Sequence, residues 1–277
     1  MTREVRLGTL LTRQLLARLG TGAPTPVVLL ALTLVREGLG HLDFLQVLCE
    51  DEIARRETAA LARRLRLARF EEQATIESFD FTANPKVPAA ALRDLAALRW
   101  LDAGESVILY GPTGVGKTHV AQGLGHNVIR RGGQVRFVKT SRVLADLAGG
   151  HADRTWERRL REYTRPAVVI LDDFAMRELT APQADDLYEL VSERAIASRP
   201  LILTSNRAPA DWYALFPNPV VAESLLDRLI NTSHQVLMDG PSFRPRKRPR
   251  PAGRDHANTI PAQGAPAVPP PAQPATS

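Results

Sequence analysis

The sequence is short of several things, and each shortage narrows what the chain does. Cys49 is the only cysteine in 277 residues, so one chain builds no disulfide framework and no cysteine-based metal site. A reducing, cytoplasmic setting is the default expectation. The longest apolar run, Val27 to Val35, falls far below the roughly 18 residues of a membrane-spanning helix. The N-terminus mixes an acid among its bases and leads into no apolar core or cleavage site, so it does not read as a secretory signal. Aromatic residues make up only 5% of the chain and do not interleave with its basic clusters, which argues against stacking on nucleobases.

What is present suits a globular protein. The hydrophobic fraction of 44% is enough for a core, and the length allows one ordinary domain plus a smaller one. The net charge of +6 is unevenly placed. Residues 241–277 hold Arg244, Arg246, Lys247, Arg248, Arg250 and Arg254 against Asp255, a net of +5, which leaves +1 for the rest. That segment also carries ten of the 21 prolines and almost no large apolar residue, so it reads as a disordered basic tail. Residues 1–72 read as an N-terminal helical domain, a contact for DNA or a partner. Thr9 to Leu19 has helical spacing, Thr25-Pro26 looks like a helix start, and His41 to Glu72 has no Gly or Pro. Residues 73–240 read as the main domain, opening with a connection and a helix over 73–98 and then alternating strands with helices. Strands are expected at Ser106–Tyr110, Val135–Val138, Ala167–Leu171 and Leu201–Thr204, and helices at Thr118–Arg131, Ser141–Leu147 and Pro182–Ser198. That alternation predicts an α/β fold, a parallel sheet flanked by helices.

Gly111-Pro112-Thr113-Gly114-Val115-Gly116-Lys117-Thr118 fits the phosphate-binding pattern G-x-x-x-x-G-K-[ST], placed between an expected strand and an expected helix. Glycines let backbone N–H groups turn toward phosphates, and the helix N-terminus adds positive potential. Lys117 then reaches the β- and γ-phosphates of ATP, and the Thr118 hydroxyl binds Mg²⁺. Val168 to Leu171 runs into Asp172 and Asp173 at the strand's carboxyl end, the edge where open α/β sheets bind ligands. Asp172 suits Mg²⁺. Asp173 suits the attacking water, or else caps the next turn. Leu201 to Thr204 ends in Ser205-Asn206, which sets an amide beside the γ-phosphate if its strand adjoins the P-loop strand; Ser-Asn is also ordinary turn chemistry.

Together these segments resemble an AAA+ ATPase, and more closely the IstB-like ATP-binding proteins, transposition helpers similar to DnaC-type helicase loaders. The likeness spans about residues 45–244. It rests on Gly111 to His119, Val135 to Val138, Ile170 to Phe174, Leu203 to Asn206, Trp212, Leu225 to Leu229 and Asp239 to Arg244, with Ala68 to Phe70 and Ile76 to Phe81 upstream. The resemblance implies an ATP- and Mg²⁺-dependent homo-oligomer on DNA that assists a transposase in target selection or activation. It also implies nucleotide held between subunits, with Arg228 as an arginine finger supplied in trans; on its own helix Arg228 flanks an apolar face, and the alternative is a solvent-facing side chain. Two departures stand out. Many AAA+ proteins have Asp-Glu where this chain has Asp172-Asp173, and too few residues follow Arg228 for a C-terminal helical lid. The alternatives are a replicative helicase loader and a non-hydrolysing ATP-dependent switch.

Arg55, Arg56, Arg63, Arg66 and Arg69 fall on one side of a helical wheel with Leu61, Leu65 and Ala68 opposite, a basic face suited to DNA phosphates or simply to solvent. The basic tail is a second such patch. His119 and His126 read as structural, and Cys49, in an apolar stretch, reads as a small buried side chain.

Overall fold

The computed structural model describes residues 41–82 and 84–243. The helices expected before residue 41, and the basic tail from residue 244 on, lie outside the described residues. α1 spans His41–Ala68, α2 Ala89–Ala96 and α3 Arg99–Ala103. There follow β1 Ser106–Tyr110, α4 Lys117–Arg130, β2 Val135–Lys139, α5 Thr140–Asp153, α6 Trp156–Thr164 and β3 Val168–Phe174. The described chain then continues through α7 Ala181–Ile196, β4 Leu201–Ser205, a 3-10 turn Pro209–Leu215, α8 Pro219–Asn231 and β5 Ser233–Leu237.

The strands form one five-stranded sheet in the order β2-β3-β4-β1-β5, and every pairing is parallel. Successive strand residues alternate between two cores, as a period of two requires. Val107, Leu109, Val168, Ile170 and Ile202 join a core with α1, α2 and α4. Ile108, Val169, Leu171, Leu201 and Leu203 join the other, with α5, α6, α7 and α8. A sheet covered on both faces needs apolar residues at consecutive positions, which is why β3 opens with Val-Val-Ile-Leu, all fully buried. Each such side chain contributes about 1.5–3 kcal/mol by leaving water.

Local signals set the helix starts. Thr180 and Gln183 form a reciprocal capping box at α7, and the Asn218 side chain accepts from Val220 N ahead of Pro219 at α8. Arg194 on α7 is 1% exposed and donates to the carbonyls of Tyr163, Pro166, Ala167 and Pro200. It therefore ties the end of α6 to the entries of β3 and β4. Burial, with Arg199 adding to it, pulls its pKa down to about 9, so it keeps its charge at neutral pH.

Three features depart from expectation. The sheet has a fifth strand, and its Ser-His-Gln-Val-Leu lacks an apolar run because β5 lies at the edge with only Val236 buried. β3 runs on through both acids to Phe174 instead of ending at Leu171. Cys49 is exposed, not buried: α1 packs against the core at Leu61, Leu65 and Ala68, nearer its C-terminal end.

Candidate functional site

The carboxyl ends of β1, β3 and β4 meet at one place. β4 pairs directly with β1, so Asn206 follows the strand beside the glycine loop. The loop opens with Gly111 N donating to Ser205 O at 3.2 Å. Gly111, Gly114 and Gly116 take φ of +137°, +88° and +99°, a region that favours glycine. Gly116 is also the residue that precedes α4, so the loop delivers its N–H groups at a helix N-terminus.

Lys117, the first residue of α4, is buried, and its Nζ donates to Gly111 O at 2.8 Å, Pro112 O at 2.7 Å and Asn206 Oδ1 at 2.8 Å. Next to it, Thr118 Oγ1 donates to Asp172 Oδ1 at 2.8 Å, and Thr204 Oγ1 donates to the same oxygen at 2.6 Å. Burial pushes the Asp172 carboxyl above the ordinary carboxylate range, and the two hydroxyl hydrogen bonds oppose that rise without cancelling it.

β3 breaks register with β4 between Leu171 and Phe174, and the break lies at Asp172 and Asp173. Asp173 takes φ of +54°, its N–H donates to Thr204 Oγ1 at 3.0 Å, and its side chain is half-buried. A bulge of this kind re-aims side chains at the end of a strand. Consecutive acids on a regular strand point to opposite faces; the bulge and the left-handed residue change that geometry here.

The structure therefore brings together Lys117, Thr118, Asp172 and Asn206 by direct hydrogen bonds, with Asp173 adjoining them through Thr204. It does not bring Arg228 to them. That guanidinium donates to Ser192 Oγ at 3.0 Å and lies 5.5 Å from the Tyr188 ring centroid, so it rests on α7. The arginines of α1 are elsewhere too. Arg55 and Arg56 both pair with Glu52, whereas Arg63, Arg66 and Arg69 are exposed.

Sequence reasoning missed several participants. Thr204 hydrogen-bonds to both acids, and its signal was its place at the end of an apolar strand. Two segments grip the glycine loop from outside it. Phe243 N donates to Gly114 O at 2.8 Å and Met238 N to Tyr110 O at 2.8 Å. A methyl group at Gly114 would meet Ser242 Oγ at 2.0 Å, and one at Gly116 would meet Phe79 Cε2 at 2.6 Å. His119 is hydrogen-bonded to Ser78 Oγ and Thr75 O, both at 3.1 Å, so it fastens the Phe79 segment to α4. His126 stacks on Phe70 at 4.7 Å, and burial lowers its pKa. Among the described residues no group of three or more His, Cys, Asp or Glu has the arrangement of a metal site. A hydroxyl and a carboxylate that share a hydrogen bond, beside a glycine cradle and a lysine, fit the donor set of a nucleotide-bound Mg²⁺.

The profile of the IstB-like ATP-binding proteins matches residues 30–251. This chain belongs to that family. The IstB-like chain is 80% identical over 211 residues to an insertion-sequence ATP-binding protein of Mycobacterium tuberculosis, covering 76% of this chain and 84% of the relative. It is 34% identical over 226 residues to the ATP-binding protein of insertion sequence IS21 from Pseudomonas aeruginosa, covering 82% and 84%. Among solved structures it is similar to AMPPCP-bound DnaA from Aquifex aeolicus, with a TM-score of 0.52 at 17% identity over 62% of this chain and 51% of that one. It is equally similar to the DnaC helicase loader, with a TM-score of 0.52 at 17% identity over 60% of this chain and 97% of the loader. At such identities these two likenesses establish the fold, an AAA+ P-loop core. This IstB-like protein is thus an ATP-binding protein of the insertion-sequence type, and no described helix is long and apolar enough to cross a membrane.

Proposed function

We propose that this IstB-like protein hydrolyses ATP with Mg²⁺, assembles with copies of itself on DNA, and assists a transposase in target selection or activation. The observation that carries the reading is the convergence of Lys117, Thr118, Asp172 and Asn206 at the carboxyl edge of the sheet. The relatives' place in insertion sequences supports the transposase as partner.

In this reading the backbone from Gly111 to Gly116 cradles the phosphates, and Lys117 exchanges its carbonyl partners for the β- and γ-oxygens. Thr118 and Asp172 hold Mg²⁺, which when bound neutralises charge developing on the phosphates. Asp173 orients or deprotonates the attacking water, and Asn206 sits beside the γ-phosphate. Arg228, exposed on α8, serves the site of a neighbouring subunit. Its partners Ser192 and Tyr188 are a neutral hydroxyl and a ring face, so the full negative charge of a neighbour's triphosphate outcompetes them. Hydrolysis then depends on assembly.

The test is Arg228→Ala, assayed for ATP binding and for hydrolysis with and without DNA. Retained binding with lost DNA-stimulated turnover is expected, and unchanged turnover removes the finger assignment. Lys117→Ala is expected to lose assembly as well as hydrolysis. Capture experiments with ATP present should retrieve a transposase; capture of a replicative helicase alone overturns the transposition reading.

A further inference from the structure

The edge of the sheet formed by β2 carries a groove that none of the nucleotide chemistry uses. It is an open cleft of about 720 Å³ between the end of α1, β2, α5 and α6. Its cations are Arg69, Arg136, Lys139, Arg142, Arg158 and Arg159, against the acids Glu71, Asp146 and Glu162. Two of those acids are already engaged: Glu71 pairs with Lys139, and Asp146 with Arg159. Arg69, Arg136, Arg142 and Arg158 make no ion pair among the described residues. Arg136 goes further, because its Nε is buried without a hydrogen-bond partner. The remaining nitrogens of that guanidinium are the ones open to the cleft, where like charge surrounds them and an anion would be favoured.

We propose that this groove binds the phosphate backbone of duplex DNA. The inference rests on the DNA-binding reading above and gives it an address. The lining favours a phosphate polymer over an acidic protein segment. Phe137, Val138 and Tyr163 are all buried, and the Tyr163 hydroxyl is spent on Asp146 at 2.9 Å, so the exposed lining is mainly polar and offers no aromatic face for stacking bases. Its free cations come from four separate elements, which suits a string of anions better than a single one. The groove also meets the basic face of α1. Glu52 neutralises the Arg55 and Arg56 end of that helix, whereas Arg69 at the other end lines the cleft, so the exposed positive charge leads into it. Contacts of this kind set affinity and position without reading sequence.

The experiment measures binding of the full chain to random-sequence duplex DNA by fluorescence anisotropy across a salt series, with a non-hydrolysable ATP analogue present. Arg142 and Arg158 are both exposed, so Arg142→Gln with Arg158→Gln spares the core, and unchanged ATP affinity checks the fold. Two lost phosphate contacts should lower the slope of log affinity against log salt by about 1.8. Arg142→Lys with Arg158→Lys should restore most of that slope, because a point charge suffices. Arg161→Gln, on α6 outside the groove and paired with Glu157, should change little. If the Gln pair keeps the wild-type slope and affinity while the wild type binds DNA, the groove assignment is overturned and DNA binding itself stands. If the wild type binds no DNA, the reading beneath it falls as well. Polyglutamate displacing DNA as effectively as competitor duplex of equal charge would mark the groove as an acidic-protein surface and also overturn the proposal.

Discussion

Replacing Gly114 with alanine should separate two demands on the glycine loop. The residue sits at φ +88°, where an L side chain costs about 1–2 kcal/mol. The added methyl would also lie 2.0 Å from Ser242 Oγ, 2.9 Å from Ser242 Cβ and 3.3 Å from Ser242 Cα. Rotating the hydroxyl relieves only the first of those contacts, so the segment itself must move. Moving it breaks the hydrogen bond from Phe243 N to Gly114 O, worth about 1 kcal/mol. The expected loss is about 2–3 kcal/mol, or roughly 5–10 °C in Tm for a domain of this size. ATP affinity should fall with it, because the same loop cradles the phosphates. Ser242→Gly in the same chain removes the two closest contacts and leaves the backbone strain. Thermal unfolding of the wild type, both single variants and the double variant gives a coupling energy free of the second glycine's own cost. A favourable coupling of about 1 kcal/mol is expected. Zero coupling, or an unchanged Tm for Gly114→Ala, would refute the claim that residues 238–243 clamp the loop.

Arg194→Met should cost about 3–5 kcal/mol in urea unfolding, since it strands four buried carbonyls; a loss below about 1 kcal/mol would show that water or repacking satisfies them. Asp172 makes a pH prediction. Its folded pKa is raised, so the folded chain binds more protons than the unfolded chain between the ordinary value of 3.8 and the raised one. Its contribution to the stability of the nucleotide-free protein is therefore present at low pH and lost as pH rises through the folded pKa. Mg²⁺ needs the carboxylate, so Mg·ATP affinity should strengthen as pH rises through the raised folded pKa, by more in the wild type than in Asp172→Asn. Equal pH profiles in a titration calorimeter would remove Asp172 from the metal site. Thr204→Val should weaken Mg·ATP binding by about ten-fold or more, because the hydroxyl that orients Asp172 and receives Asp173 N–H is gone. An unchanged Kd would make that hydroxyl a bystander.

The chemistry legible in the sequence was chemistry written in consecutive residues. The glycine loop, the paired acids and the apolar strands each declare themselves within eight positions, and strand alternation with helices implied the sheet. The parts that escaped depend on distant pieces of chain. Residues 238–243 have no periodicity; Asp239 to Phe243 carry part of the family resemblance, but their role comes from the segment's lying against Gly111 and Gly114. Arg194 looks in sequence like any surface arginine of a helix, and only the crossing of α7 over the strand entries buries it. β5 hid because an edge strand can be polar on most positions. The β2 groove draws its arginines from four elements, so no run or helical face announces it.

The arrangement of the strands has a consequence for how the chain is made. β1 ends in the glycine loop, yet the strands on either side of it come late: Val107 pairs with Ile202 and with His234, which are 95 and 127 residues downstream. Phe243, whose N–H closes on the loop, is later still. A ribosome therefore releases the loop and its lysine long before anything that holds them in shape. Contacts across such spans form slowly, and the loop's neighbours cannot assemble around it in the order of synthesis. A nascent chain halted before β5 carries the whole phosphate-binding motif and still lacks the site.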